Sequence, residues 1–402
     1  MIKTLLRYPY TKALTLGVCL TLFQILLACA LAPGPTLEQA YRQLCQWDCF
    51  WYATITRDGY HSPYPPVSQN SDISNVAFFP GYPLLSRFLY LGLHIQPEIS
   101  LILIAQIFCV IFWAAWWLLL KQFKIPLPIA SLATLGVLSH PASFYLVSGY
   151  SESLFLSSLL LFLLYTSKTS KRKRSYATPL AGITMSATRI IGIPAAIFPI
   201  LQLFSRAITN RKMPSMQDLL LSFTLSLTAC LGAFAFLAYC QFRFGHYNMY
   251  METQKIGWGI IPDYSALFHI RSFGFRFIFD RIATFASIYA FLIFSILELI
   301  LININQSTGL KRRLPLYMIS FLTFFITLSG LKSVQFQSMI RYTLPWSILL
   351  TLCLAHISLR IPQPPQPINY ALICAITLGL SFFFYLFQIS YLQNFLNGQW
   401  FA

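Results

Sequence analysis

Asp48 sits between two tryptophans in the run Trp47-Asp48-Cys49-Phe50-Trp51-Tyr52, and Asp58-Gly59-Tyr60 follows it. The chain has only eleven acidic residues, so each carboxylate is a rare group. A carboxylate held among aromatic rings at a membrane surface is suited to take a proton from a bound hydroxyl, and ionisable groups near a bilayer point to function by default. Taken alone, the tryptophans and tyrosines are equally well explained as an interfacial belt. A second acid, Glu152, lies in Ser148-Gly149-Tyr150-Ser151-Glu152-Ser153, where it could instead complement a helix dipole beside a serine cap. The cations that could meet a phosphate are Arg341 in Met339-Ile340-Arg341-Tyr342, Arg189 in Thr188-Arg189-Ile190-Ile191-Gly192, and behind them Lys332 and Arg271. The guanidinium fork suits phosphate oxygens. An arginine opening a span can also be a snorkelling lipid anchor.

The elements that must position these groups are membrane spans. With 57% hydrophobic and 10% charged residues, and a mean hydropathy of +0.64, the chain is excluded from the soluble globular class, whose charged share is about 25%. Runs long enough to cross a bilayer, roughly 17 to 25 residues, occur near 13–33, 99–120, 126–147, 217–242, 282–303, 342–359 and 370–390, with shorter ones at 151–167 and 315–331. Residues 176–205 lie between two basic loops and are too short for two full crossings, so Arg189, Gly192 and Pro194 mark a broken hairpin that presents Arg189 to a cavity, since non-helical backbone at membrane depth must line protein or water. Arg189 is the one charge expected deep in the membrane. The total is about eleven spans in an all-α polytopic protein, a single domain over 1–402 with an external loop at 34–98.

The net charge of +17 does not mark a nucleic-acid binder, because the basic residues sit in short loops between spans. Lys3, Arg7, Lys12, Lys121, Lys124, Lys168, Lys171–Arg174, Arg206, Arg211, Lys212, Lys311–Arg313 and Arg360 fall in alternate loops, and nine of the eleven acids in the others. By the positive-inside rule the first set is cytoplasmic and the acids face outward, with the N-terminus inside and the C-terminus outside. The first apolar run exceeds a signal-peptide core and reads as a retained span.

In the external loop, residues 38–57 read as one amphipathic helix, with Ala40, Leu44, Trp47, Trp51 and Ile55 on one face. Residues 61–75 read as a loop, and Phe79-Pro80-Gly81 as a shaped turn before a helix reaching about His94. Cys45 and Cys49 share this loop. Either they form a disulfide in an oxidising compartment, or they lie on one face of a helix that holds them too far apart to bridge. Seven other cysteines act as small apolar residues, and six scattered histidines carry no metal signature.

The W-D-x-x-W-Y-x(7)-G-Y pattern, the N-x-A-F-F-P-G-Y-P-L block, the Y-S-E-S-L-F turn, T-R-I-I-G, M-I-R-Y and the Trp400-containing end together resemble the GPI mannosyltransferase II (PIG-V type) family of GT-C membrane glycosyltransferases. The resemblance spans nearly the whole chain in order, and its short loops suggest a bacterial homologue in the plasma membrane. It implies transfer of a hexose, expected to be mannose, from a polyprenyl-phosphate donor to a lipid-linked or glycan acceptor on the non-cytoplasmic face. Such a donor needs a multi-span body for its tail and an external groove for its sugar. Asp48 is then expected to be the base for inverting displacement, with Glu152 as the alternative. Arg341, Arg189 and Lys332 are expected on the leaving phosphate, and Trp47, Trp51, Tyr52, Tyr60, Phe79, Tyr82 and Tyr342 around sugar or acceptor. No cofactor or metal is expected, since the leaving group is no pyrophosphate and no D-x-D pair is present. The competing function is a lipid or sugar transporter or flippase, which should carry internal repeats and charges within several spans; no repeat is visible.

Sidedness is open to test by single cysteines at positions 68 and 170 in a background lacking Cys45 and Cys49. An impermeant thiol reagent on intact cells is expected to label position 68 and spare 170. The reverse pattern would overturn the assignment.

Overall fold

The structure is a computed structural model that describes residues 9–34, 36–62, 74–167, 176–303, 310–357 and 367–399. The expectations for Lys3, Arg7, residues 63–73 with Asp72, Lys168–Arg174, Arg360 and Trp400 lie outside them. Among the described residues all regular structure is helical: α1 Pro9–Leu31, α2 Leu37–Arg42, α3 Asp48–Asp58, α4 Gly81–Leu93, α5 Pro97–Gln122, α6 Leu127–Leu138, α7 Glu152–Thr166, α8 Ala177–Thr188, α9 Phe198–Asn210, α10 Met216–Phe244, α11 Met249–Trp258, α12 Ile278–Asn303, α13 Leu310–Leu331, α14 Leu344–Ile357 and α15 Pro367–Leu396. Among the described residues, seven helices are long and apolar enough to cross a membrane, and α6, α7 and α14 are shorter apolar helices. The chain is thus an all-helical, polytopic membrane protein.

Local chemistry sets the ends of these helices. α5 opens on Pro97 and Glu98 and closes with Lys121 in its last turn, each charge matched to the helix dipole. In α10 the Ser215 hydroxyl accepts from the Asp218 amide at 3.2 Å, and Gly245 ends the helix at φ 75°. The expected 126–147 span is cut short. α6 stops at Leu138, and His140-Pro141 turns the chain into a 3-10 segment at Ser143–Leu146, because proline disfavours helical backbone in the residue before it. The 176–205 stretch does break at Arg189, whose φ of −152° and ψ of 146° are extended; a single helical turn, Gly192–Ala195, follows before α9.

Two contacts help knit the bundle. The Gln24 carboxamide of α1 is buried, donating to the Ser143 carbonyl at 3.0 Å and accepting from the Trp113 indole at 2.9 Å. This satisfies a polar group that would otherwise be costly in an apolar interior. α8 meets α10 through small residues: a Cβ on Gly232 would lie 2.1 Å from the Ile183 carbonyl oxygen, so only glycine permits this approach. Arg313, expected in a basic loop, is instead fully buried on α13. It donates to both oxygens of Glu298 and sits 3.3 Å from the His356 ring nitrogen. Arg189 is therefore not the sole buried cation, and burial is tolerated here because the carboxylate meets the guanidinium fork.

Gly232→Val should force α8 and α10 apart and cost about 1–3 kcal/mol, the usual scale of overpacking. Gly379→Val, where an added Cβ meets nothing within 4 Å, is the control. Thermal unfolding of the purified variants should show a clear loss for the first and little change for the second; equal behaviour would mean that the close crossing is not needed.

Candidate active site

The first external-loop helix is two helices rather than one. α2 ends at Arg42, the chain turns through Gln43–Trp47, and α3 begins at Asp48. That turn brings the Cα atoms of Cys45 and Cys49 to 5.2 Å, and a disulfide joins them. A continuous helix would have kept them apart. The disulfide packs on Gly149, where a Cβ would stand 2.3 Å from the Cys49 sulfur, and the Gly149 amide donates to the Leu44 carbonyl at 2.9 Å. Trp47 pays with an unfavourable φ of 50°. The result places Asp48 at the head of α3, beside the turn that leads to Glu152.

Two acids and two arginines meet there. Arg341 Nη1 donates to Asp48 Oδ2 at 2.5 Å and its Nε to Glu152 Oε1 at 2.5 Å, while Arg189 Nη1 donates to the same Glu152 oxygen at 2.8 Å. The charges balance in pairs. Glu152 is 0% exposed, Arg341 4%, Arg189 12% and Asp48 19%. The Arg341 guanidinium carbon lies 4.5 Å from the Tyr150 ring centre and 5.4 Å from those of Tyr145 and Tyr342, and Arg189 lies 5.2 Å from Tyr342. Aromatic faces thus replace water around the cation.

Arg341 is held from behind. Asp280, wholly buried, accepts from the backbone amides of Ser338 and Ile340 at 3.2 and 3.1 Å. Those bonds hold a segment in which Gln335, Phe336 and Ser338 all have positive φ, a conformation that needs outside support in non-glycine residues. Beyond its place among the acids, no motif singles out Asp280; only the fold shows what it grips.

The aromatic residues divide by burial. Trp51 packs edge-on against Trp258, with ring centres 5.6 Å apart, and Phe78 completes the cluster; Trp47 is 37% exposed. Tyr342 is half-buried beside the arginines. Tyr52 is buried, its hydroxyl donating to Ser151 at 3.0 Å, and burial pushes its phenol above the ordinary range. Tyr60 donates to the Phe78 carbonyl, and Tyr82 to the Leu101 carbonyl, both at 2.7 Å. Phe79 is buried between Phe236 and Tyr250. Tyr52, Tyr82 and Phe79 have no free face for a ligand ring. Gly81, in the same block, lies 2.9 Å (as a Cβ position) from the Ala187 carbonyl and Thr188, which fixes the approach to Arg189.

Lys332 is not brought to this cluster's carboxylates: its ammonium donates to Asp263 at 2.6 Å, and that bond, with those from Ser265, holds the Asp263 carboxyl well below the usual range. Arg271 lines a separate cleft. Among the described residues no three His, Cys, Asp or Glu side chains gather as a metal site. The segments that do converge are W-D-x-x-W-Y, the F-F-P-G-Y-P-L block, the Y-S-E-S turn, T-R-I-I-G and M-I-R-Y. Comparison with models of known protein families finds no match, and comparison with curated protein sequences finds none.

Removing Glu152's charge leaves Arg341 with Asp48 alone and Arg189 with no carboxylate among the described residues, and breaking a buried pair typically costs 3–5 kcal/mol. Glu152→Gln should therefore lower thermal stability much more than Asp48→Asn, whose partner keeps Glu152. A calorimetric or dye-based melt checks the order; equal melting points would show that the buried cluster does not hold this end of the bundle together.

Proposed function

We propose that this chain is a polyprenyl-phosphate-sugar-dependent glycosyltransferase of GT-C type that moves a hexose to a lipid-linked or glycan acceptor by inverting displacement, with Asp48 as the base. One observation carries the choice of Asp48. Of the two carboxylates in the cluster it alone reaches the surface, and its Oδ1 accepts no hydrogen bond from the described residues. Glu152 is sealed, bonded to both arginines. The buried acid orients the cations, and the accessible one is left for chemistry.

In this reading the acceptor hydroxyl gives its proton to Asp48 Oδ1 as its oxygen bonds to the anomeric carbon, and the bond from that carbon to the phosphate oxygen breaks with its electrons on the phosphate. The Arg341 pair fixes the direction of the carboxylate. Arg189 supports the leaving phosphate, since its Nε and Nη2 have no acceptor among the described residues. Trp47, Trp51, Trp258 and Tyr342 form the wall against which a sugar would lie. In this reading the shorter helices α6, α7, α8 and α14 also cross the membrane beside the seven long ones, eleven crossings in all, as a GT-C body would have. The same reading puts this cluster on the non-cytoplasmic face of a bacterial plasma membrane, and the sugar as mannose follows the family resemblance alone.

Asp48→Asn should leave the fold and donor binding largely intact while turnover from a polyprenyl-phosphate hexose falls by about 10²-fold or more, the scale of a lost general base. Arg189→Ala, which removes the support of the leaving phosphate, should weaken donor binding and turnover together. Near-wild-type transfer by Asp48→Asn would refute the assigned base, and substrate-dependent lipid movement across a vesicle membrane with no sugar transfer would favour the flippase.

A further inference from the structure

Three arginines, Arg271, Arg276 and Arg281, line one cleft of about 630 Å³ with Phe273, Phe275 and Phe285. Among the described residues the side chains of Arg271 and Arg281 have no acceptor. Arg276 reaches only the Gln337 carboxamide, at 3.5 Å, and the face of Phe277. The neighbouring carboxylate, Asp280, is buried and turned to the amides of Ser338 and Ile340. The cleft therefore holds three cations and no anion of its own. It lies where the loop enters α12, a candidate span that starts at Ile278, and the end of a span is where lipid headgroups meet a protein.

These three line one open cleft with the phenylalanines, and its volume falls in the range of small-ligand sites. The geometry points to a binding site for a phosphate-bearing lipid, its phosphate on the arginines and the start of its chain on the phenylalanines. The site shares a wall with the Arg341 segment: Phe273 and Phe275 pack on Phe336 with ring centres 4.6 and 5.0 Å apart, and the Arg276 amide donates to the Gln335 carbonyl. A lipid seated there lies against the segment that carries Arg341. The assignment does not depend on the transferase reading, because binding needs no turnover.

The test uses the full chain in dodecyl maltoside micelles, which carry no phosphate, titrated with a C55 polyprenyl phosphate or with phosphatidylglycerol and read by native mass spectrometry. Loss of even one charge-assisted contact corresponds to about tenfold in affinity. R271Q/R276Q/R281Q should weaken polyprenyl-phosphate binding by at least about that factor, while R57Q/R243Q/K255Q, which removes three exposed cations outside the cleft, should not. All three arginines of the cleft are exposed, so glutamine at each is compatible with folding; the single variants R271Q and R281Q, each expected to show a partial loss, give a second route. A parallel loss for phosphatidylglycerol would mean that the cleft accepts any lipid phosphate, and a selective loss that it recognises the polyprenyl phosphate; both support the site. Equal affinities for the two triple variants with both lipids would overturn it.

Discussion

A guanidinium buried at one end of a membrane bundle has to be neutralised, and the Arg341 side chain is neutralised by residues 189 and 293 positions away, Glu152 and Asp48. Desolvating such an ion costs several kcal/mol unless the geometry is close and its donors are used. The structure meets this by placing Nε and Nη1 on two different carboxylates and rings of Tyr145, Tyr150 and Tyr342 around the fork. Arg189 balances the second acid. Four chain segments that are remote in sequence are thereby required at one point, and the helices behind them have to approach closely enough to allow it.

That closeness depends on small residues and on strain accepted locally. Gly149 lets the Cys45–Cys49 disulfide rest against the Tyr150–Glu152 turn, and Gly81 lets the Phe79-Pro80-Gly81 block rest on the end of α8 where Arg189 emerges. Trp47, Gln335, Phe336 and Ser338 carry left-handed or otherwise positive φ values beside Asp48 and Arg341. Backbone of this kind persists only where its surroundings over-determine it. The disulfide on one side and Asp280 on the other supply that determination.

The two carboxylates consequently differ in character although they belong to one ionic cluster. Glu152 has one oxygen shared between two arginines and the other buried without a partner among the described residues, so it is fixed in place. Asp48 has one oxygen tethered to Arg341 and a side chain that stays partly exposed. The Glu298–Arg313 pair with His356 is a second buried ionic group, on the last turns of α12 and α14 and the first of α13; there every charged group faces protein, and it joins three helices rather than opening a site.

Much of this was legible along the chain. Hydropathy marks most of the long spans because a bilayer demands apolar runs of set length, and the rarity of acids in so apolar a sequence marks Asp48 and Glu152 as groups worth their burial. Arg189 and Gly192 mark the break at the end of α8, because non-helical backbone at membrane depth has to face protein or water. Period and spacing fail where two readings share the same residues. The face Ala40–Leu44–Trp47–Trp51–Ile55 fits one helix as well as two, and only the docking of Leu44 and Cys49 on Gly149 selects the turn that permits the disulfide. The sequence by itself determined a helical membrane protein and a short set of groups capable of chemistry. Which arginine faces which acid, which tyrosines are packing and which acid stays accessible were decided by the tertiary structure, because burial and ion pairing are properties of segments brought together across hundreds of residues and leave no local mark.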